Sequence, residues 1–372
     1  MSRPGTPGSG RARVPNWVER LVVRAAGEIR VLASLTPAHA ACERERLAAD
    51  LRQGRSSLPR WTYAAASHDE LRRALDAAQA ALGRSDEPQH ELYRARMREL
   101  SIEAELSAAA GTRDVARLAL ERFAPPEPAI AQAAAQLCAT WLEEPLVPRS
   151  DPLLASDAPH PRSLLSQMRE AVGKLRLPFT VAVDRSLAAL AATGDRVILV
   201  AAGRFVHDDD AARTVLHEVE GHARPRARSY GSSCALLRVG TAGGVDDQEG
   251  RALVLEARAG MLGPCRKGQL AARHRAVEAM LDGASFADVA LLLVRTFGLD
   301  AADAVLVAER AFRGSDGARP GLGRERIYLE SFVRVSAHLG AHPEDEDVMA
   351  SGQVAVDSIA AVRDVMASSE LT

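Results

Sequence analysis

The chain is short of several things, and each shortage closes off a class. Cysteine occurs at only four positions in 372 residues, Cys42, Cys138, Cys234 and Cys265, widely scattered and with no CxxC pair. That argues against a disulfide framework and predicts reduced thiols in a reducing compartment. Charge of one sign is also missing. The 47 basic and 49 acidic residues leave a formal charge of −2, so no global field draws the chain to nucleic acid or to an anionic membrane. No apolar run approaches a membrane span, and residues 1–15, rich in Gly, Pro, Ser and Arg, lack the apolar stretch of a secretory signal. They read as a disordered arm on a soluble, cytoplasmic protein that needs neither nucleic acid nor membrane as partner. Aromatics reach only 4% while alanine is plentiful, which leans the chain towards helix, because alanine loses no side-chain entropy there. No internal repeat is visible.

What is present has two textures. Residues 16–144 read as an N-terminal helical region. Ser67-His68-Asp69-Glu70 has the spacing of a capping box, and Leu71, Leu75, Ala78 and Leu82 follow at helical intervals up to Gly83. Tyr93, Met97, Leu100 and Ala104 form a second stripe that ends near Gly111, and a further helix is expected over Ala129–Leu142 with Trp141. Residues 145–161, with five prolines, read as a linker. Beyond it, residues 162–372 are expected to form a further domain. There 179–183 and 196–200 look like short strands separated by Thr193-Gly194-Asp195. Asp208-Asp209-Asp210 then sets acids where a helix N-terminus favours them, and the helix must stop near Pro225. The expected fold is α+β and predominantly α-helical, with a small sheet beside its central helix.

That helix holds His217-Glu218-Val219-Glu220-Gly221-His222, an HExxxH pattern. Zinc hydrolases usually space two histidines at i and i+4, so both rings meet one ion from one face. At i and i+5 a regular helix turns the second ring about 140° away. Either the pattern is accidental, or the helix contains a π-bulge that restores the register. Gly221, a residue that lets a helix distort, favours the second. A third ligand is available downstream, since Asp246 can cap a helix that presents Glu249 inward, and Glu256, seven residues on, is the rival on the same face. Two histidines and one glutamate are a known catalytic zinc set. For both glutamates a solvated helix face is the plain alternative.

Three blocks resemble a known family. Thr214-Val215-Leu216-His217-Glu218 with His222 is similar to its HExxxH helix. Gln248-Glu249-Gly250-Arg251-Ala252 is similar to its QEGLA motif, with Arg251 in place of leucine. Arg310-Ala311-Phe312-Arg313-Gly314, then Arg324-Glu325-Arg326-Ile327-Tyr328-Leu329, resembles its RxFRG and FTKDxxYL segments, with Leu322 for Phe, Gly323 for Thr, Arg324 for Lys and Glu325 for Asp. The family is the metallopeptidase family that includes the microtubule-associated tyrosine carboxypeptidase and bacterial QEGLA-motif proteins. Order and rough spacing agree from about Gly111 to Val335.

The resemblance implies that residues 162–372 form a zincin-like, zinc-dependent catalytic domain, with one Zn²⁺ per chain on His217, His222 and Glu249 and with Glu218 as general base for a metal-activated water. The departures at Arg251 and at Leu322-Gly323 bear on specificity rather than on metal binding. Tyr328 is the first candidate to donate to the tetrahedral oxyanion, with a core aromatic as its alternative role. Cleavage at a C-terminus also needs a carboxylate receptor, for which Arg324, Arg326, Arg313 and Arg251 are the candidates, because the planar guanidinium binds both oxygens. A carboxypeptidase-like metallopeptidase acting on a peptide or protein C-terminus is therefore expected. A small-molecule zinc amidase and an inactive interaction module are the alternatives, and retention of Glu218 speaks against the module. The oligomeric state and the preferred terminal residue are not readable.

Overall fold

The computed structural model describes residues 14–84, 87–124, 127–144, 153–185, 187–232 and 234–369. The expected arm therefore lies outside the described residues, apart from Val14, which is buried, and Pro15, which precedes the first helix. The longer helices are α1 (Asn16–Glu28), α2 (Ala40–Arg52), α3 (Asp69–Leu82), α4 (Pro88–Ala108), α5 (Asp114–Phe123), α6 (Pro128–Leu142), α7 (Leu164–Lys174), α8 (Asp208–Val215), α9 (Gly244–Arg258), α10 (Pro264–Leu281), α11 (Phe286–Phe297), α12 (Ala301–Phe312), α13 (Ile327–Ala341) and α14 (Ile359–Ser369). The strands are short: β1 (Leu153–Ala155), β2 (Thr180–Asp184), β3 (Ala191–Thr193), β4 (Val197–Ala201) and β5 (Phe205–His207). The fold is predominantly α-helical with small sheets of two and three strands.

Periodicity explains the helices. Leu71, Leu75, Ala78 and Leu82 of α3 recur every three or four residues and are all buried, as are Tyr93, Met97, Leu100 and Ala104 of α4. Pro88 opens α4 at a position where its missing N–H costs nothing. The capping box expected at Ser67 does not form. His68 occupies the cap position, and the Ser67 hydroxyl donates to Asp69 Oδ2 at 3.2 Å instead. A complete capping box stands at α11, between Ser285 and Asp288.

The three-stranded sheet has the order β2-β4-β3. β2 and β4 are parallel, pairing Thr180 with Val197 through Asp184 with Ala201. Thr193-Gly194-Asp195 does not join these two strands directly. It turns the chain between β3 and β4, which pair antiparallel, and Arg196 takes a left-handed φ of 54° to close the turn. β3 escapes a sequence reading because Ala191-Ala192-Thr193 carries little strand propensity of its own. The stretch expected as a linker contributes β1, paired with β5; residues 145–152 of it lie outside the described residues.

Two packing contacts place the functional helix. One cluster joins Leu164 and Met168 of α7 and Ile198 and Val200 of β4 to Val219 and Ala223 of the segment after α8, so the sheet lies beside that segment. A second gathers Leu71, Leu75, Tyr93 and Met97 with Val254 of α9 and Val335 and Leu339 of α13. Residues from both sides of the Pro-rich stretch thus share one apolar core.

Candidate metal centre

The segment Leu216–Ala223 that continues α8 is a π-helix. Its hydrogen bonds close over one more residue than in an α-helix, so side chains five apart share a face. His217 and His222 do so, with ring centroids 4.9 Å apart. The glycine between them answers a close approach rather than an unusual φ. A Cβ at Gly221 would lie 2.7 Å from Cβ of Ala252, so the missing side chain lets the π segment seat on α9.

α9 brings the third side chain of the group. Its N-terminus is capped by Gly243 at φ 71°, not by Asp246, which lies inside the first turn beside Asp247. One turn on, Glu249 Oε2 lies 3.4 Å from His217 Nε2 and 3.6 Å from His222 Nε2. The ligand atoms of the three residues lie within 4.8 Å of one another, the single such group among the described residues. Each imidazole is held from behind. His217 Nδ1 bonds Glu256 Oε1 at 2.7 Å, and His222 Nδ1 bonds Gln248 Oε1 at 3.0 Å. With acceptors on both Nδ1 atoms, the Nε2 atoms are turned towards Glu249, which is how histidine ligands are commonly oriented. Glu256 is thus the partner of a histidine in this arrangement and sits behind the centre. It is fully buried and also accepts from Arg266 Nε and Nη2, both at 3.1 Å.

The charges fit a cation. Burial opposes a proton on His217, but Glu249 and Glu256 outweigh it and lift its pKa to about 9. Burial likewise opposes charge on Glu249 and Glu256. The histidines and Arg324 hold Glu249 well below the usual carboxylate range, and His217 with Arg266 brings Glu256 down to about 2. An imidazolium between two carboxylates occupies the place that a divalent ion with neutral imidazoles fills. Two nitrogens and a carboxylate oxygen, with both rings fixed, suit zinc.

Glu218 lines a cleft of about 450 Å³ together with His217 and Tyr328. Its Oε2 accepts from the Thr193 hydroxyl at 2.8 Å, so β3 sets the carboxylate's direction. Tyr328 stays a protonated phenol, because burial and the nearby Glu249 and Glu325 raise its pKa.

A family model described as microtubule-associated tyrosine carboxypeptidase matches residues 50–372. The chain belongs to that family. No curated protein matches the chain.

The family's motif residues divide between those that build the centre and those that pack around it. Glu249 and Gln248 of the second block face the histidines. Gly250 faces away, where a Cβ would lie 2.4 Å from the Ser331 carbonyl oxygen, so α9 can press against α13 only through a glycine. Arg251 is buried on the far side, donating to Glu346 Oε1 at 2.7 Å and to the Glu220 carbonyl at 3.1 Å. In the third block Arg324 lies behind Glu249, with Nη2 3.6 Å from its Oε1 and 3.8 Å from Asp246 Oδ1. Arg326 pairs with Glu330 at 2.7 Å. Arg313 is largely buried and does not line the cleft.

Several residues of the site carried no sequence motif. Thr193 orients Glu218, Gln353 donates to Gln248 Oε1 at 3.0 Å, and Arg273 lines the cleft beside Tyr328. One signal was available for the cleft: Arg266 and Arg273 are seven residues apart on α10 and share its face.

Proposed function

We propose that this chain is a zinc-dependent carboxypeptidase that hydrolyses a peptide bond next to a free C-terminus. One zinc would be held by His217, His222 and Glu249. The observation that carries the reading is the convergence of these three ligands from a π segment and α9, with Glu218 aimed into the adjoining cleft. A zinc ion there would supply a Lewis acid and an acidified water. The protein's own groups do the rest. Glu218 takes a proton from the attacking water on the oxygen Thr193 leaves free, then returns it to the departing amine. Tyr328, a neutral phenol in the cleft wall, donates to the oxyanion that develops on the scissile carbonyl. A purely structural ion would have no use for a carboxylate held beside a ligand and turned into a cleft.

The family's description names a tyrosine carboxypeptidase. For this chain the apolar wall of Leu299, Leu306 and Val307 supports a large apolar or aromatic terminal residue. Glu218→Gln keeps the shape of the side chain and removes the base. Its zinc content is expected to equal that of the wild type while kcat falls about 10²-fold or more on free-acid peptides. Undiminished turnover in that variant would refute the assignment of the base.

A further inference from the structure

The cleft that adjoins the metal centre is short of negative charge at one place. Arg273 and Arg310 both line it, next to Tyr328. They share one carboxylate, Glu325, which lies 3.6 Å from Arg273 Nε and 3.6 Å from Arg310 Nη1 and whose Oε2 makes no hydrogen bond. Glu325 also feels Arg313 and Arg324, so four guanidinium groups surround it. The deficit registers on Arg273: burial and the neighbouring Arg310 bring its pKa down to about 10, a guanidinium lacking a full counter-charge. Its plane lies 5.4 Å over the Tyr328 ring, which fixes its direction.

The other arginines near the centre are taken. Arg213 and Arg266 face Glu256, Arg324 is drawn to Glu249 and Asp246, and Arg326 and Arg251 have their own glutamates. Arg204 sits at the exposed rim, where water screens it. Arg213 and Arg266 also share an acid, but Glu256 is hydrogen-bonded to Arg266 and Arg213 has Asp210 besides, whereas the oxygen of Glu325 that Arg273 and Arg310 share makes no hydrogen bond.

We infer that Arg273 and Arg310, on α10 and α12, form the receptor for the substrate's C-terminal carboxylate. This deepens the carboxypeptidase reading and rests on it. The two planar forks offer more donors than Glu325 takes up, and an incoming carboxylate balances the second guanidinium. It also moves the receptor from the arginines of the family's motif blocks, apart from Arg310, to a helix the motifs do not reach.

The test separates binding from turnover. Calorimetry on the full-length, zinc-loaded protein would use a blocked dipeptide with a free C-terminal carboxylate and its C-terminal amide. The wild type is expected to bind the acid about 30-fold or more tightly than the amide, the ratio lost when one half of a buried charge pair is removed. Arg273→Gln and Arg310→Gln should each collapse that ratio towards one. Arg273→Lys and Arg310→Lys keep the charge and the packing but not the fork, and should lose most of the ratio with an unchanged melting temperature. A wild type that binds neither ligand, or variants that keep the full preference, would overturn the inference. Loss of the preference in Arg324→Gln with zinc retained, and its survival in the other two positions, would hand the role to Arg324. Tight acid-selective binding without any cleavage of free-acid peptides would leave this receptor standing and remove the peptidase reading instead.

Discussion

His217 lies between Glu249 and Glu256, and that double contact sets how the centre answers pH. In the metal-free protein its pKa is raised from 6.5 to about 9, because the two acceptors outweigh its burial. The stability this proton contributes is fully present below pH 6.5 and is lost as pH rises through 9. A zinc ion bound there would take the proton's place, so its binding would strengthen over the same window. Melting temperatures of chelator-treated and zinc-loaded protein are expected to diverge from pH 6.5 to 9, the metal-free form falling more. A gap that stays constant with pH would contradict a protonated His217 in the metal-free centre. Glu256, whose i+7 spacing from Glu249 marks it as a rival ligand, is legible in sequence only as an acid on the right face. Its role behind His217 depends on a π turn and on Arg266, and neither is visible from spacing along α9.

The π segment is the element on which the site turns. The i, i+5 histidines announced it, since a regular helix sends the two rings apart. The reason for Gly221 was less legible, because what it meets is Ala252 on another helix, 31 positions further along the chain. Helices with strong stripes, such as α3 and α4, were readable from their own apolar spacing, which packing then buries. β3 was not readable, since its three residues gain their strand from β4, and with it went Thr193 and the orientation of Glu218. Gly221→Ala tests the element. The added methyl cannot clear Ala252 without moving the π segment off α9, an overpacking that costs about 1–3 kcal/mol. Lower zinc occupancy together with a lower melting temperature is expected. Full occupancy in a protein of wild-type stability would show that the contact between the two elements does not position the histidines.

Across the whole molecule, the N-terminal helices reach the centre through a chain of charges. Arg122 of α5 bonds Glu99 and Glu103 of α4 and Asp246 of α9, at 2.9, 2.8 and 2.7 Å, and Asp246 in turn faces Arg324 behind Glu249. Glu99 also accepts from the backbone N–H of Gly243 at 2.9 Å, which ties α4 to the cap of α9. The shared core of α3, α4, α9 and α13 runs alongside. Composition and periodicity make the helical class legible, but the ties from Arg122 to Asp246 and from Glu99 to Gly243 join residues more than a hundred positions apart and leave no periodic trace. All of them converge on the placement of one carboxylate, so the metal content of Glu249→Ala set against Glu256→Ala tests the account most directly. One zinc per chain is expected in the wild type, with a sharp loss in Glu249→Ala, where a ligand is gone, and a smaller loss of about 10- to 100-fold in affinity in Glu256→Ala, where only the orientation of His217 suffers. Unchanged stoichiometry in Glu249→Ala would contradict the centre described above.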